Sequence, residues 1–130
     1  MSSNSISEPI IACNPRAIDA NNREAHVDLS KEIISSSTLL EVKELADGYA
    51  FRLPLETPMI LKVAQFITNE RLCCGFFTFT LTVNEQLWLS LTGTPEVKMI
   101  IQTDILKIVD TGIFPSIEEL QTTYDAATKS

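Results

Sequence analysis

The most constraining feature of the sequence is a strict alternation of apolar and polar residues in "FFTFTLTV", residues 76–83. Successive side chains of a β-strand point to opposite faces of a sheet, so a period of two marks a strand with one buried face. One face of this strand carries threonines, and the other carries Phe77, Phe79, Leu81 and Val83. The segment therefore predicts a strand whose threonine face is open to water.

Two β-hairpins are predicted, and this strand opens the second of them. After the turn "NEQ", the segment "LWLSLT" returns with Leu87, Leu89 and Leu91 on the buried face. The first hairpin is predicted within "TLLEVKELADGYAFRLP", residues 38–54, where Asp47-Gly48 supplies the turn because glycine accepts a positive φ.

Each hairpin is followed by a predicted helix that opens with Thr-Pro, once at Thr57 and once at Thr94, 37 residues later. Threonine caps a helix and proline suits its first turn. A further helix is predicted in residues 14–36, ahead of the first hairpin. The pattern predicts an α+β fold, a two-layer sandwich with a four-stranded antiparallel sheet built from two ββα units and a preceding N-terminal helix.

The chain is divided into three parts by composition. Residues 1–9 are polar and rich in serine, which is typical of a flexible N-terminus. Residues 10–110 are predicted to form a single α+β domain. Residues 111–130 are predicted to be a C-terminal extension with a short helix, because Ser116 and Glu119 have the spacing of a capping box.

Composition argues against several classes of partner. The net charge of −7 and the lack of a Lys/Arg cluster argue against nucleic-acid binding. The sequence shows no apolar run long enough for a membrane helix and no secretory signal, so we expect no membrane association. Three cysteines are too few for a disulfide scaffold, so a cytoplasmic protein with free thiols is expected.

Cys73 and Cys74 are adjacent cysteines near the end of the predicted helix that opens at Thr57. This helix should end at Gly75, directly after the pair. On a helical wheel centred on Ile60, Val63, Ala64 and Ile67, Cys74 falls in the middle of the apolar arc, Cys73 on its flank and Glu70 inside it. Both cysteines could be small apolar residues of the core. A carboxylate at Glu70 would then need a partner.

The alternative interpretation is a metal site. If the helix stops at the pair, Cys73, Cys74 and Cys13 could hold a soft metal ion or trivalent arsenic. The supporting residues would be Glu70, Arg23 and His26, the last two neutralising Glu70 from one helix face. A helix C-terminus and a nearby carboxylate raise a thiol pKa, which favours binding over nucleophilic catalysis.

Two other interpretations stay open. One is a thiol-dependent enzyme in which His26 serves as the base. The other is a protein-interaction or homo-oligomerisation module with structural cysteines. Its contact surface would be the outer face of the sheet, formed by Thr78, Thr80, Thr82 and Trp88, because an exposed tryptophan is a common anchor in interfaces.

The segments "ERLCCGFFTFTLTV", "LADGYAFRLP" and "LWLSLTG" together resemble a family of small uncharacterised bacterial proteins with an E-R-x-C-C-P-F-x-x-F motif. The resemblance covers about residues 11 to 108 and extends to Cys13, Arg23 and His26. Some members are associated with heavy-metal-responsive genes, so the resemblance implies a thiol-metal role for Cys73, Cys74 and Glu70. Gly75 departs from the pattern, which has proline at that position.

Overall fold

The computed structural model describes residues 11–129, so the expectation for residues 1–9 lies outside the described part of the chain. Four antiparallel strands form one open sheet in the order β1-β2-β4-β3. The strands are β1 Glu41–Leu45, β2 Gly48–Leu53, β3 Thr78–Val83 and β4 Leu87–Thr92. The two predicted hairpins are therefore present, and their second strands pair with each other in the middle of the sheet.

Helices cover one face of this sheet, which confirms the α+β prediction. The helical segments are α1 Arg23–Ile33, α2 Thr57–Cys73, α3 Pro95–Ile100, a π-helical segment Ile101–Ile105, α4 Leu106–Thr111 and α5 Ile117–Thr128. Strand β4 follows the predicted alternation, since Leu87, Leu89 and Leu91 are buried while the residues between them are half-buried. Burial of each such side chain contributes roughly 1.5–3 kcal/mol, so the alternating leucines determine which face of the sheet is buried. In the edge strand β3 the prediction holds only in part, because Phe79 and Leu81 are half-buried and Val83 is exposed.

The N-terminal helix is shorter than predicted. Residues 15–17 and 20–22 form two short 3₁₀ turns, and α1 begins only at Arg23. Two side chains explain the late start. Asp19 accepts a hydrogen bond from the backbone N–H of Asn21, and the Arg23 guanidinium donates to the carbonyls of Pro15, Arg16 and Ile18. These bonds satisfy backbone groups that a continuous helix would have used.

The first hairpin needs glycine at position 48 for a different reason from the predicted one. The turn residues are Ala46 and Asp47, while Gly48 is the first residue of β2 and has no positive φ. A Cβ atom at Gly48 would lie 2.0 Å from the carbonyl oxygen of Leu91 on the neighbouring strand. Glycine is therefore required by the close approach of two backbones, not by a left-handed conformation.

The two Thr-Pro sequences open their helices in different ways. Thr94 is the N-cap of α3, and its side chain accepts a hydrogen bond from the Val97 N–H. Thr57 is already inside α2, whose N-cap Glu56 makes no side-chain capping bond. The capping prediction is thus confirmed for Thr94 and wrong for Thr57, although Pro58 lies in the first turn as expected.

The C-terminal helix packs against the N-terminal segment. The predicted capping box is formed by reciprocal hydrogen bonds between Ser116 and Glu119, and Gly112 ends α4 with a φ of 71°. Gln121 of α5 is buried; its Oε1 accepts from the Arg16 N–H and its Nε2 donates to Asn14. The division of the chain at residue 110 stays a prediction, but α5 holds the segment that carries Cys13.

Candidate thiol site

The end of α2 and the N-terminal segment bring the three cysteines together. Cys73 is the last residue of α2, and Cys74 is its C-cap, with φ −119° and ψ 66°. The Cys74 N–H still donates to the Glu70 carbonyl at 2.7 Å, and the Asn14 N–H donates to the Cys73 carbonyl at 2.8 Å. This last bond fixes the N-terminal segment alongside the helix end. The three sulfur atoms all lie within 4.8 Å of one another.

Cys13 and Cys74 are joined by a disulfide that spans 61 residues, with a Cα–Cα distance of 4.6 Å. The expectation of free thiols is therefore wrong for these two residues, and it holds for Cys73. The odd count of cysteines gave no reason to expect a bridge. The cause is tertiary: the N-terminal segment, held by Asn14, places Cys13 beside the helix end at the short Cα separation that a disulfide needs.

Cys73 is a buried thiol with a strongly raised pKa. Desolvation by burial, with the nearby negative charge of Glu70 as the second cause, raises its pKa to about 12, and the Asn14 backbone N–H opposes this shift. The thiolate is the reactive form of cysteine, so Cys73 is a weak nucleophile at neutral pH. The expectation that this cysteine is not activated is confirmed.

The buried face of α2 differs from the predicted one by about a quarter of a turn. Its buried residues are Met59, Val63, Phe66, Asn69 and Cys73. Ile60 and Ile67 are only half-buried, and Ala64 is exposed. Met59 and Phe66 have larger apolar surfaces than Ala64, so the helix is oriented with these two side chains buried. Cys73 consequently lies on this face, whereas Cys74 is buried beyond its end.

Glu70 is paired with His26, as expected for a carboxylate on the buried side of a helix. His26 Nε2 lies 2.7 Å from Glu70 Oε1, and the two side chains are 5% and 17% exposed. The His26 ring also stacks on Phe66, with ring centroids 5.5 Å apart. Arg23 has a different role from the one expected, because its guanidinium binds the backbone carbonyls near the start of α1.

The hydrogen bonds of His26 bear on the enzyme interpretation. Its Nε2 is bound to Glu70, and its Nδ1 has no hydrogen-bond partner within residues 11–129. No cysteine is therefore hydrogen-bonded to the imidazole in the described part of the chain. With the raised pKa of Cys73, the arrangement lacks the contact through which a histidine base activates a thiol.

Two hollows flank the cysteines. A cavity of about 580 Å³ has Cys13, Cys73 and Cys74 in its wall together with His26 and Glu70. A smaller pocket of about 210 Å³ lies next to Cys73 and is bordered by Asn14, Gly75 and Tyr124, among others. The sulfur cluster is therefore not sealed inside the core, because space for a ligand adjoins it.

No family model, no curated protein and no solved structure matches the chain. The resemblance to the family with the E-R-x-C-C-P-F-x-x-F motif thus stays a prediction. Among residues 11–129, no helix combines the length and the apolar character needed to cross a membrane.

Two residues of the site were missed by sequence reasoning. Asn14 joins the N-terminal segment to Cys73 through its backbone, and Gln121 anchors α5 to the same segment through its side chain. A contact made by the backbone does not depend on residue type, so the sequence did not distinguish Asn14 as a residue of the site. Gln121 follows the capping-box helix start at Ser116 by five residues, a position that alone did not distinguish it.

Proposed function

We propose that the reduced protein binds a thiophilic metal or metalloid ion through Cys13, Cys73 and Cys74. The observation that carries this proposal is the mutual distance of the three sulfur atoms, none more than 4.8 Å from another. Zn–S bonds of about 2.3 Å in tetrahedral geometry place sulfur ligands about 3.8 Å apart. After reduction of the bridge, the Cys13 and Cys74 sulfurs would have to move apart to this spacing, and the Cys73 sulfur, at most 4.8 Å from each of them, would have to move closer by at most about 1 Å.

The Cys13–Cys74 disulfide makes this binding dependent on redox state. Reduction of the bridge by a dithiol reductant consumes two electrons and releases two thiols, which become ligands only after they lose their protons. The oxidised chain offers one thiol, Cys73, and that thiol holds its proton to high pH. We infer that the reduced form, expected in a cytoplasmic setting, is the binding form.

The donor set favours soft ions over hard ones. Three thiolates suit ions such as Cd(II), Zn(II) or trivalent arsenic, whereas Mg²⁺ and Ca²⁺ prefer oxygen ligands. Glu70, a hard ligand one helical turn before the cysteine pair, has its carboxylate oxygen already paired with His26. The thiols therefore define the preference of the site.

Titration of the chain with Cd(II) in both redox states tests the proposal. The thiolate-to-cadmium charge-transfer absorbance should rise to one equivalent in the reduced chain and should be absent from the disulfide-bonded chain. Cys13→Ser should bind more weakly than the reduced wild type and with a smaller absorbance per ion, because two thiolates remain. An unchanged affinity in the double variant Cys73→Ser/Cys74→Ser would rule the site out.

A matched control separates the site from nonspecific binding of cadmium to surface carboxylates, which are abundant in a chain of net charge −7. Glu118→Gln removes an exposed carboxylate from α5 without touching the cysteines. It should leave the charge-transfer signal unchanged. Arsenite, which does not bind carboxylates as a cation does, should show the same dependence on the three cysteines.

A further inference from the structure

The 580 Å³ cavity beside the cysteines has the size and polarity of a small-molecule site. Ligand pockets typically enclose about 300–1,000 Å³ and have mainly apolar walls. We propose that this cavity binds a neutral, flat and largely apolar molecule with one hydroxyl group, which donates a hydrogen bond to Nδ1 of His26. The three cysteines lie in the wall of the same cavity, but the proposal does not depend on metal binding because it rests on Nδ1 of His26 and on the apolar lining.

The cavity is mainly polar at its rim and apolar in its depth. Its exposed lining residues are Asp104, Lys107, Thr111, Glu119 and Thr123 together with one apolar residue, Ile113. The buried ones are mainly hydrocarbon, and they include Ile18, Ile34, Phe66, Phe77 and Leu91. This arrangement allows an apolar molecule to leave water on entry, which is favourable by roughly 25 cal/mol per Å² of surface buried.

One wall of the cavity is an irregular helix. Between α3 and α4 the backbone forms the π-helical segment Ile101–Ile105, whose residues Asp104 and Ile105 line the space together with Ile108 of α4. A π-helical turn accommodates extra backbone compared with an α-helix and occurs often at functional sites. The helix therefore departs from regular geometry at the place where it borders the cavity.

His26 supplies an unused polar atom in this wall. The residue is 95% buried, since its exposed fraction is 5%, and its Nδ1 has no partner within residues 11–129. Glu70 is the acceptor toward Nε2, so an imidazole with a single proton carries that proton on Nε2. Nδ1 then has a free lone pair, and a buried polar atom without a partner is unfavourable.

The ligand class follows from these features. A lone pair on Nδ1 requires a donor, and a hydroxyl group is the simplest neutral one. An anion would be repelled by Glu70 and by the net charge of −7. A cation would lose its hydration among hydrocarbon side chains, because the carboxylate of Glu70 is already paired with His26 and those of Asp104 and Glu119 lie at the exposed rim. The ring of Phe66, stacked on His26, favours a flat aromatic ligand.

The test compares two fluorescent probes on the disulfide-bonded protein, in which the proposed three-thiol metal site cannot form. 2-Naphthol carries the hydroxyl group, and 2-methoxynaphthalene has the same ring without a donor. We expect 2-naphthol to bind at least tenfold more tightly. Ile108→Trp should abolish binding of both probes by filling the cavity, and Ile108→Leu, of similar volume, should keep it.

His26 is the single histidine of the chain, so ¹⁵N-histidine labelling reports on it alone. Long-range ¹H–¹⁵N spectra of the free protein should show the Nε2–H tautomer, and 2-naphthol should shift the Nδ1 resonance while 2-methoxynaphthalene does not. Equal affinity for the two probes, no binding of 2-naphthol, binding unaffected by Ile108→Trp, or an Nδ1–H tautomer would each overturn the proposal.

Discussion

His26 Nε2 lies 2.7 Å from Glu70 Oε1, and this contact joins the first half of α1 to the last turn of α2. Both side chains are largely buried, and the carboxylate lies one helical turn before the cysteine pair. The contact therefore connects three features of the fold: the packing of α1 on α2, the wall of the large cavity, and the negative charge that raises the pKa of Cys73.

Removal of the imidazole should destabilise the protein. His26→Leu leaves the Glu70 carboxylate without its donor, and we expect a loss of about 1–3 kcal/mol in the free energy of unfolding, measured with urea. The double variant His26→Leu/Glu70→Met, in which both partners are apolar, should lose less than the sum of its single variants. Glu24→Gln, an exposed change on α1, should stay within about 0.5 kcal/mol of wild type. Strict additivity would contradict a direct interaction.

Reduction of the Cys13–Cys74 bridge should also lower stability. A cross-link over 61 residues removes much of the freedom of the unfolded chain, and its loss should cost about 2–5 kcal/mol. A phosphine reductant should shift the urea midpoint of the wild type and of Cys73→Ala, which keeps the bridge. Cys13→Ser should already have the lower midpoint and should not respond. A response of Cys13→Ser to the reductant would show that Cys74 pairs with another cysteine.

The sheet could be predicted from the sequence because its signals are local. Alternation in residues 77–83 and 87–91 depends only on which side chains are apolar, and each hairpin joins neighbouring segments. The predicted order of elements, two hairpins each followed by a helix, is the order in the structure. The same local reasoning gave the capping box at Ser116.

The site was less predictable because it depends on contacts between distant segments. The wheel for α2 was centred on Ile60, Val63, Ala64 and Ile67 and did not include Met59 and Phe66, which are buried in the fold. The disulfide depends on where the N-terminal segment lies, which residue types near Cys13 do not encode. The pairing of His26 with Glu70 was predicted and is confirmed, whereas Arg23, which was expected to pair with the same carboxylate, binds backbone carbonyls instead.

The raised pKa of Cys73 predicts slow alkylation. With a pKa of about 12, roughly a thousandth of this thiol is ionised at pH 9, so iodoacetamide should label the folded, disulfide-bonded chain slowly. The rate should increase about tenfold per pH unit toward pH 12 and should match that of free cysteine once the chain is unfolded in urea. A plateau near pH 9 in the folded chain would contradict the burial of this thiol.

The same shift predicts a loss of stability in alkali. Below about pH 8 the folded and unfolded chains both keep the Cys73 proton, so the contribution of the neutral thiol is fully present. Above this pH the unfolded chain releases the proton first, and stability falls until the folded thiol ionises near pH 12. Cys73→Ala should show a smaller decline in the free energy of unfolding between about pH 9 and pH 11. Identical declines would mean that other groups dominate.

Gln121 should control access to the disulfide through α5. Its side chain binds Asn14 and the Arg16 backbone, next to Cys13. Gln121→Leu removes these part-buried hydrogen bonds, so we expect a loss of about 1 kcal/mol in unfolding free energy and faster reduction of the bridge by dithiothreitol. Thr122→Ala, an exposed neighbour on the same helix, serves as the control and should change neither quantity. An unchanged reduction rate in Gln121→Leu would show that α5 does not protect the bridge.

Gly48 offers a test of the sheet itself. A methyl group at this position would lie 2.0 Å from the Leu91 carbonyl oxygen, and the contact involves backbone that is paired on both sides of β2. Gly48→Ala should therefore destabilise the protein by more than about 2 kcal/mol, since neither strand can move without breaking its ladder. Gly75→Ala is the matched control, because its Cβ would meet only the Arg71 carbonyl at 3.3 Å and no positive φ is involved. Equal urea midpoints for the two variants would contradict the close approach of β2 and β4, and with it the register that buries Phe51 against Leu89.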